Sequence, residues 1–413
     1  MTTQTRRNMA ITTAAAAIVA TLVGQSAIAA VTTASSPSTP PLLIKTNLLF
    51  DGTSFQFGPQ AVLVQNGKIL KVGPASQISA PKGTKTVNIP TGTILPGFID
   101  MHTHHLVNGV PARRMLEHGV TTARDLGSAE PITAALTNKP YQLRQFFSGP
   151  ILQAPNGYPN VVFPGSGVEV TGETAARAKV DSLIAQGASV IAVSLEEGGE
   201  PGAPWNWHEP AFFPPWATLS NGELAAIVDQ AHNTHHVKVT AYFGNDFGAQ
   251  RALAAGVDEW AHSPCDRLTA PVITEAGAKK IAIDGTIDTE VACEGALDNA
   301  AALVHAGAKL FYSTDMGHPD IPHGIDAQEI HMGLHVGFHN GKDYLTALAA
   351  ALASATSEAG TYLGVPQLGK IEVGAPADII VTGSSVLEKF KELEFPRLVV
   401  KGGLVVIERA AGQ

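Results

Sequence analysis

Charged, aromatic and cysteine side chains are all scarce in this chain. Of its 413 residues, 15% are Asp, Glu, Lys or Arg and 6% are aromatic. The net charge is −9 and no basic patch interleaved with aromatics occurs, so nucleic acid has no footprint here. Long charge blocks are missing while hydrophobic residues reach 45%, which excludes a disordered chain and leaves ample core. The only cysteines are Cys265 and Cys293, with no CxxC pair, so a zinc ribbon and a thioredoxin-type site are excluded. The two thiols can pair in an oxidising compartment or stay free and buried. No G-x-G-x-x-G follows the first strand of the central region, which argues against a dinucleotide-binding sheet.

A stable membrane span is lacking too. The apolar stretch at 10–24 is rich in Ala and Thr, and too short and weak to cross a bilayer. Arg6-Arg7 precede it and Ala27-Ile28-Ala29 ends it in a small-x-small pattern. Residues 1–29 therefore read as an export signal, which the paired arginines allow to be of the twin-arginine kind. The expected location of the mature chain is periplasmic or extracellular. Residues 30–41, rich in Pro, Ser and Thr, read as a linker.

What is present falls into two rhythms. Short apolar runs at 42–50, 61–65, 68–72 and 86–89 mark strands, with Asn66-Gly67 as a hairpin signal. Matching runs at 379–381, 398–400 and 404–407 surround Gly402-Gly403. One small β-sandwich domain, 42–95 plus 366–413, is expected from both ends. Between them, helical patterns stop at glycine and lead straight into apolar strands, as at Gly119, Gly187, Gly256 and Gly307. Repeated helix-Gly-strand units imply parallel strands with crossover helices. The fold class expected for 96–365 is α/β, a (β/α)8 TIM-type barrel.

The barrel region opens on Pro96-Gly97-Phe98-Ile99-Asp100-Met101-His102-Thr103-His104. Side chains alternate across a strand, so His102 and His104 aim two imidazoles at one point, as a divalent metal requires. Functional residues of such barrels sit at the C-terminal ends of strands. Polar groups fall there repeatedly: Arg124-Asp125, Glu196-Glu197, His262 and Asp315. Strands 1 and 8 of a closed barrel are neighbours, which makes Asp315 the best third ligand or general base. Arg124 suits either a substrate carboxylate or an internal salt bridge.

The sequence resembles the amidohydrolase superfamily of metal-dependent hydrolases, with an imidazolonepropionase and prolidase-like cast. The resemblance rests on 95–104, on Gly119-Val120-Thr121-Thr122-Ala123-Arg124-Asp125-Leu126-Gly127, on Ser313-Thr314-Asp315 and on the tail 368–381. It implies one or two divalent metals, usually zinc, and hydrolysis of an amide or related C–N bond. Two departures matter. Where two-metal relatives carry a carboxylated lysine on strand 4, this chain has Ala192, and where they carry the strand 5 histidine it has Tyr242. His235 and His236 precede that strand and stand at the wrong end to substitute. A single Zn²⁺ is expected, held by His102, His104 and Asp315, with His262 the survivor of the second set. Glu196 shares a strand face with Ala192 and Ser194 by period two and is a further candidate ligand. Tyr242 can donate to substrate, ligate weakly or pack.

The mechanism expected is a metal-activated water attacking a small amide, cyclic amide or dipeptide-like substrate. Asp315 would move the proton, and His262 or Tyr242 would stabilise the oxyanion. A deaminase and a catalytically impaired exported binding protein are the alternatives. The loop 196–216, with Pro201, Pro204, Trp205, Trp207, His208 and Trp216, is expected to wall the site, its aromatics meeting an apolar substrate part, packing inward or forming a homo-oligomer contact.

Overall fold

The computed structural model describes residues 40–106, 108–129, 141–205, 215–318 and 320–410. The expected signal segment 1–29 and most of the linker, together with Trp207 and His208, lie outside the described residues. No described helix is long and apolar enough to cross a membrane.

Both ends of the described chain build one hydrogen-bonded sheet. Its N-terminal strands are β1 (Leu42–Phe50), β2 (Phe55–Gln65), β3 (Lys68–Pro74), β4 (Lys85–Asn88) and β5 (Thr93–Pro96). Asn66 and Gly67 both take positive φ, 51° and 77°, which lets the β2–β3 hairpin close in the twist its strands demand.

Ten strands of the central region follow: β6 (Phe98–Thr103), β7 (Val120–Asp125), β8 (Arg144–Phe147), β9 (Ile151–Gln153), β10 (Gly167–Glu169), β11 (Val190–Ser194), β12 (Lys238–Tyr242), β13 (Glu259–Trp260), β14 (Ala282–Asp284) and β15 (Lys309–Phe311). The chain then returns to the terminal sheet with β16 (Ile379–Val381), β17 (Leu398–Lys401) and β18 (Leu404–Glu408), in the order β18-β17-β16-β5-β1-β2-β3 with β4 beside β1. The burial of Ile44, Val62, Ile94, Ile379 and Val400 in one cluster explains why the two ends must meet.

The central strands pair in parallel, β6-β7-β8 in one sheet and β10-β9-β11-β12-β13-β14-β15 in another. Two sets of hydrogen bonds join these sheets. Ser189 N–H donates to Phe147 O at 2.8 Å, and Met101 N–H donates to Tyr312 O at 3.2 Å. Helices alternate with the strands, among them Asn221–Asp229, Asp246–Ala255, Ala270–Lys279 and Ala296–Ala306. The last of these stops at Gly307, whose φ of 113° no other residue adopts cheaply.

Cys265 and Cys293 are disulfide-bonded, tying the loop after β13 to the loop after β14 across 28 residues of sequence. Replacing both by Ser is expected to cost about 3–4 kcal/mol from loop-closure entropy. Calorimetry with and without reductant measures it, and an unchanged melting temperature would sink it.

Candidate metal centre

β6 delivers Asp100 and His102 from one face, and His104 follows just beyond the strand end. The segment after β15 lies against it. Asp315 N–H donates to His102 O at 2.9 Å, and His104 N–H donates to Met316 O at 2.7 Å. Asp100 fastens the same segment, accepting from Thr314 Oγ1 at 2.6 Å and from the His102 amide at 3.2 Å. These bonds hold Asp315 in the left-handed region, at φ 54°, an unfavourable conformation that the surrounding contacts over-determine.

The donors converge. His102 Nε2 and His104 Nε2 are 3.1 Å apart, and Asp315 Oδ1 lies 3.6 Å from the first and 3.3 Å from the second. Among the described residues, these three form a group able to hold a metal ion. The chemistry fits. Ala261 O, which can only accept, stands 2.6 Å from His102 Nδ1, so that nitrogen carries the proton and Nε2 presents its lone pair. Burial, and then His262 and His104, hold His102 far below the usual imidazole range. Burial, and then Asp100, push the Asp315 carboxyl up to about 8. Its Oδ1 is buried without a hydrogen bond. An orphaned carboxyl oxygen near the His102 lone pair is what a cation would satisfy, and a cation would also restore the ionised carboxylate.

The other sequence-derived candidates distribute differently. His262, two residues past β13, lies tilted against His102 with ring centroids 4.7 Å apart but stands outside the three-donor group. Its Nδ1 meets Thr286 Oγ1 at 2.9 Å and Glu290 Oε1 at 3.1 Å. Because Thr286 spends its own proton on Gly285 O, it accepts from Nδ1–H, leaving His262 Nε2 bare. Burial pushes His262 down to about 3, so the ring is neutral and lacks the free N–H an oxyanion stabiliser needs. Glu196 also stands outside the group. It lies two residues past the end of β11 at Ser194, and its carboxyl accepts from the Gly198 amide at 2.6 Å. Burial and the neighbouring Glu200 raise it well above the ordinary carboxyl range. Tyr242, at the end of β12, brings its hydroxyl 3.1 Å from His102 Nε2 and donates to Leu126 O at 2.7 Å. Ala192 is fully buried in a cluster with Leu126, Tyr158, Trp205 and Tyr242. Arg124 does not face substrate: it pairs with Glu259 and Asp284 inside the protein.

Above the donors lies a cavity of about 610 Å³. His104 and Asp315 reach it, and Ile151, Tyr158, Val162, Phe163 and Trp205 give it apolar walls. Pro204 and Trp205 supply the expected contribution of the 196–216 loop, while Trp216 stacks on Tyr158 at 5.8 Å instead. Asp100, Glu290 and His318 went unassigned in the sequence. Asp100 was findable, since it shares the parity of His102 and His104. Glu290 sits in a loop with no periodic signal, and His318 beyond a turn.

The amidohydrolase family model matches residues 93–406. Among solved structures, a Xaa-Pro dipeptidase with methionine in its active site is 20% identical, with a TM-score of 0.70 over 88% of this chain and 99% of that one. Ochratoxinase of A. niger is 19% identical, with a TM-score of 0.71 over 90% of this chain and 96% of that one. At such identities the likeness speaks for the fold. A 5-methylthioadenosine/S-adenosylhomocysteine deaminase of Syntrophobacter fumaroxidans is 40% identical over 58 residues, 14% of this chain and 13% of the deaminase.

Proposed function

Because the chain belongs to the amidohydrolase family of metal-dependent hydrolases acting on carbon–nitrogen bonds, we propose that it cleaves a small amide, cyclic amide or dipeptide-like substrate with one Zn²⁺. The observation that carries this reading is the convergence of His102 Nε2, His104 Nε2 and the orphaned Asp315 Oδ1 beneath an apolar-walled cavity. The strand order and its joining hydrogen bonds support an eight-stranded β/α barrel with a small β-sandwich domain from both termini. Ala192, packed among aromatics where a bridging lysine would stand, supports one ion over two.

A bound Zn²⁺ supplies Lewis acidity, polarising a carbonyl and making water a stronger acid. His102 and His104 hold it, oriented by the Ala261 carbonyl and the Met316 backbone. Asp315 takes the proton from the attacking water and passes it to the departing nitrogen. The walls of Ile151, Tyr158, Val162, Phe163 and Trp205 exclude bulk water and seat an apolar substrate part. Export of the mature chain is part of the proposal, supported by the Arg6-Arg7 leader and by a disulfide that needs an oxidising compartment.

Metal analysis of purified protein, with a panel of N-acyl amides and Xaa-Pro dipeptides, tests this reading. About one zinc per chain and amide cleavage are expected, both lost in His102→Ala. Wild-type protein that takes up no zinc would overturn it. A second reading, an exported binding protein on the same scaffold, is favoured by the loss of the bridging lysine at Ala192. It predicts zinc uptake and ligand binding without turnover of any panel member. Release of ammonia would instead mark a deaminase.

A further inference from the structure

The Tyr242 hydroxyl has one proton and two neighbours. Leu126 O, 2.7 Å away, can only accept. His102 Nε2, 3.1 Å away on the other side, also carries a lone pair, because the His102 proton is fixed on Nδ1 by the Ala261 carbonyl. With the phenol proton at Leu126, a lone pair of the tyrosine oxygen faces the lone pair of His102 Nε2 across 3.1 Å. Two electron pairs that close, in a buried site, ask for a cation between them. The same spending of the proton removes Tyr242 from the role of oxyanion donor.

Donor spacing agrees. Donors at about 2.0–2.1 Å from an ion lie about 2.9–3.4 Å apart, from right-angled to tetrahedral arrangements. Three separations fall in that range, 3.1 Å for His102–Tyr242, 3.1 Å for His102–His104 and 3.3 Å for His104–Asp315, and His102–Asp315, at 3.6 Å, lies just outside it. Tyr242 is held for the task. Its ring is buried edge-on to His102, centroids 5.5 Å apart, and its backbone is part of a strand paired from Lys238 to Tyr242 with β11.

We propose that the Tyr242 phenol oxygen is a fourth donor to the ion held by His102, His104 and Asp315. The proposal rests on the one-metal reading above and goes beyond it: a hard oxygen would join the donor set where the resemblance led one to look for an imidazole. His104 and Asp315 line the cavity, so the donor set is open to it from that side.

The test compares full-length wild type, Tyr242→Phe and Tyr242→His, each stripped with a chelator. Zinc affinity is measured by competition with a chromophoric chelator, and coordination by the visible spectrum of the Co²⁺-loaded protein. Tyr242→Phe is expected to bind zinc on the order of 10–100-fold more weakly, with an altered Co²⁺ spectrum. Tyr242→His, which restores a strong donor, is expected to bind zinc far better than Tyr242→Phe. Loss of the Leu126 hydrogen bond alone would lower the melting temperature of the metal-free protein without moving zinc affinity. Unchanged zinc affinity and an unchanged Co²⁺ spectrum in Tyr242→Phe would overturn the assignment while leaving the metal centre standing. If Tyr242→Phe does not fold, a Tyr242→His protein whose Co²⁺ spectrum equals that of wild type would overturn it. A wild type that binds no zinc would overturn both readings together.

Discussion

Asp315→Asn is expected to lower kcat by about 10³-fold or more, the loss associated with a positioned proton carrier at a metal-assisted centre. Asn is the informative replacement because the backbone here is left-handed, at φ 54°, a region that Asn tolerates well. The amide also fills the same volume against His102 and His104. The change therefore removes the carboxyl and its negative charge while sparing backbone and packing. Steady-state hydrolysis of the amide that the wild type cleaves, read beside zinc content, separates the two duties of this residue. Retained zinc with lost turnover isolates the proton carrier; lost zinc shows that its charge also holds the ion. A variant within tenfold of wild-type kcat would remove Asp315 from the mechanism.

The parts of the fold that were legible in the sequence are those where local and global signals agree. Asn66-Gly67 between apolar runs could only close a hairpin, and Gly307 after a helical pattern could only stop one. The H-x-H strand was legible because strand alternation is strict, and the same parity would have added Asp100 as the residue that fastens the Asp315 segment. Glu196 lies two residues past the end of its strand at Ser194, so strict alternation does not reach it. His262 was placed near the site by its strand-end position, yet its Thr286 and Glu290 partners come from a loop whose path no periodicity describes. The disulfide was open in the sequence, since two cysteines 28 residues apart say nothing of whether their loops touch. The proton on His102 was equally invisible, because Ala261 exerts its control through a backbone carbonyl.

Arg124→Met is expected to destabilise the protein by about 3–5 kcal/mol, a large share of the stability a domain has. Arg124 on β7 reaches across the interior to Glu259 on β13 and Asp284 on β14, and donates through Nε to Met101 O at 2.7 Å. Both carboxylates are fully buried, and Met leaves them without a cation. The pH dependence distinguishes lost charge pairing from lost packing. Burial and Glu259 already hold Asp284 well above the ordinary carboxyl range, and Arg124 pulls it back. In the variant that pull is gone, so the folded state, which already binds this proton more tightly than the unfolded one, binds it more tightly still. Stability from that proton is present below the unfolded carboxyl value of about 3.9 and is lost as pH rises through the higher folded value. The deficit of Arg124→Met against wild type should therefore be smaller at acid pH than at slightly alkaline pH, in urea melts at each. Adding Glu259→Leu and Asp284→Leu to Arg124→Met should recover much of the loss, because a wholly apolar replacement leaves no buried charge unpaired. A deficit that is flat with pH and persists in the triple variant would assign Arg124 to packing alone.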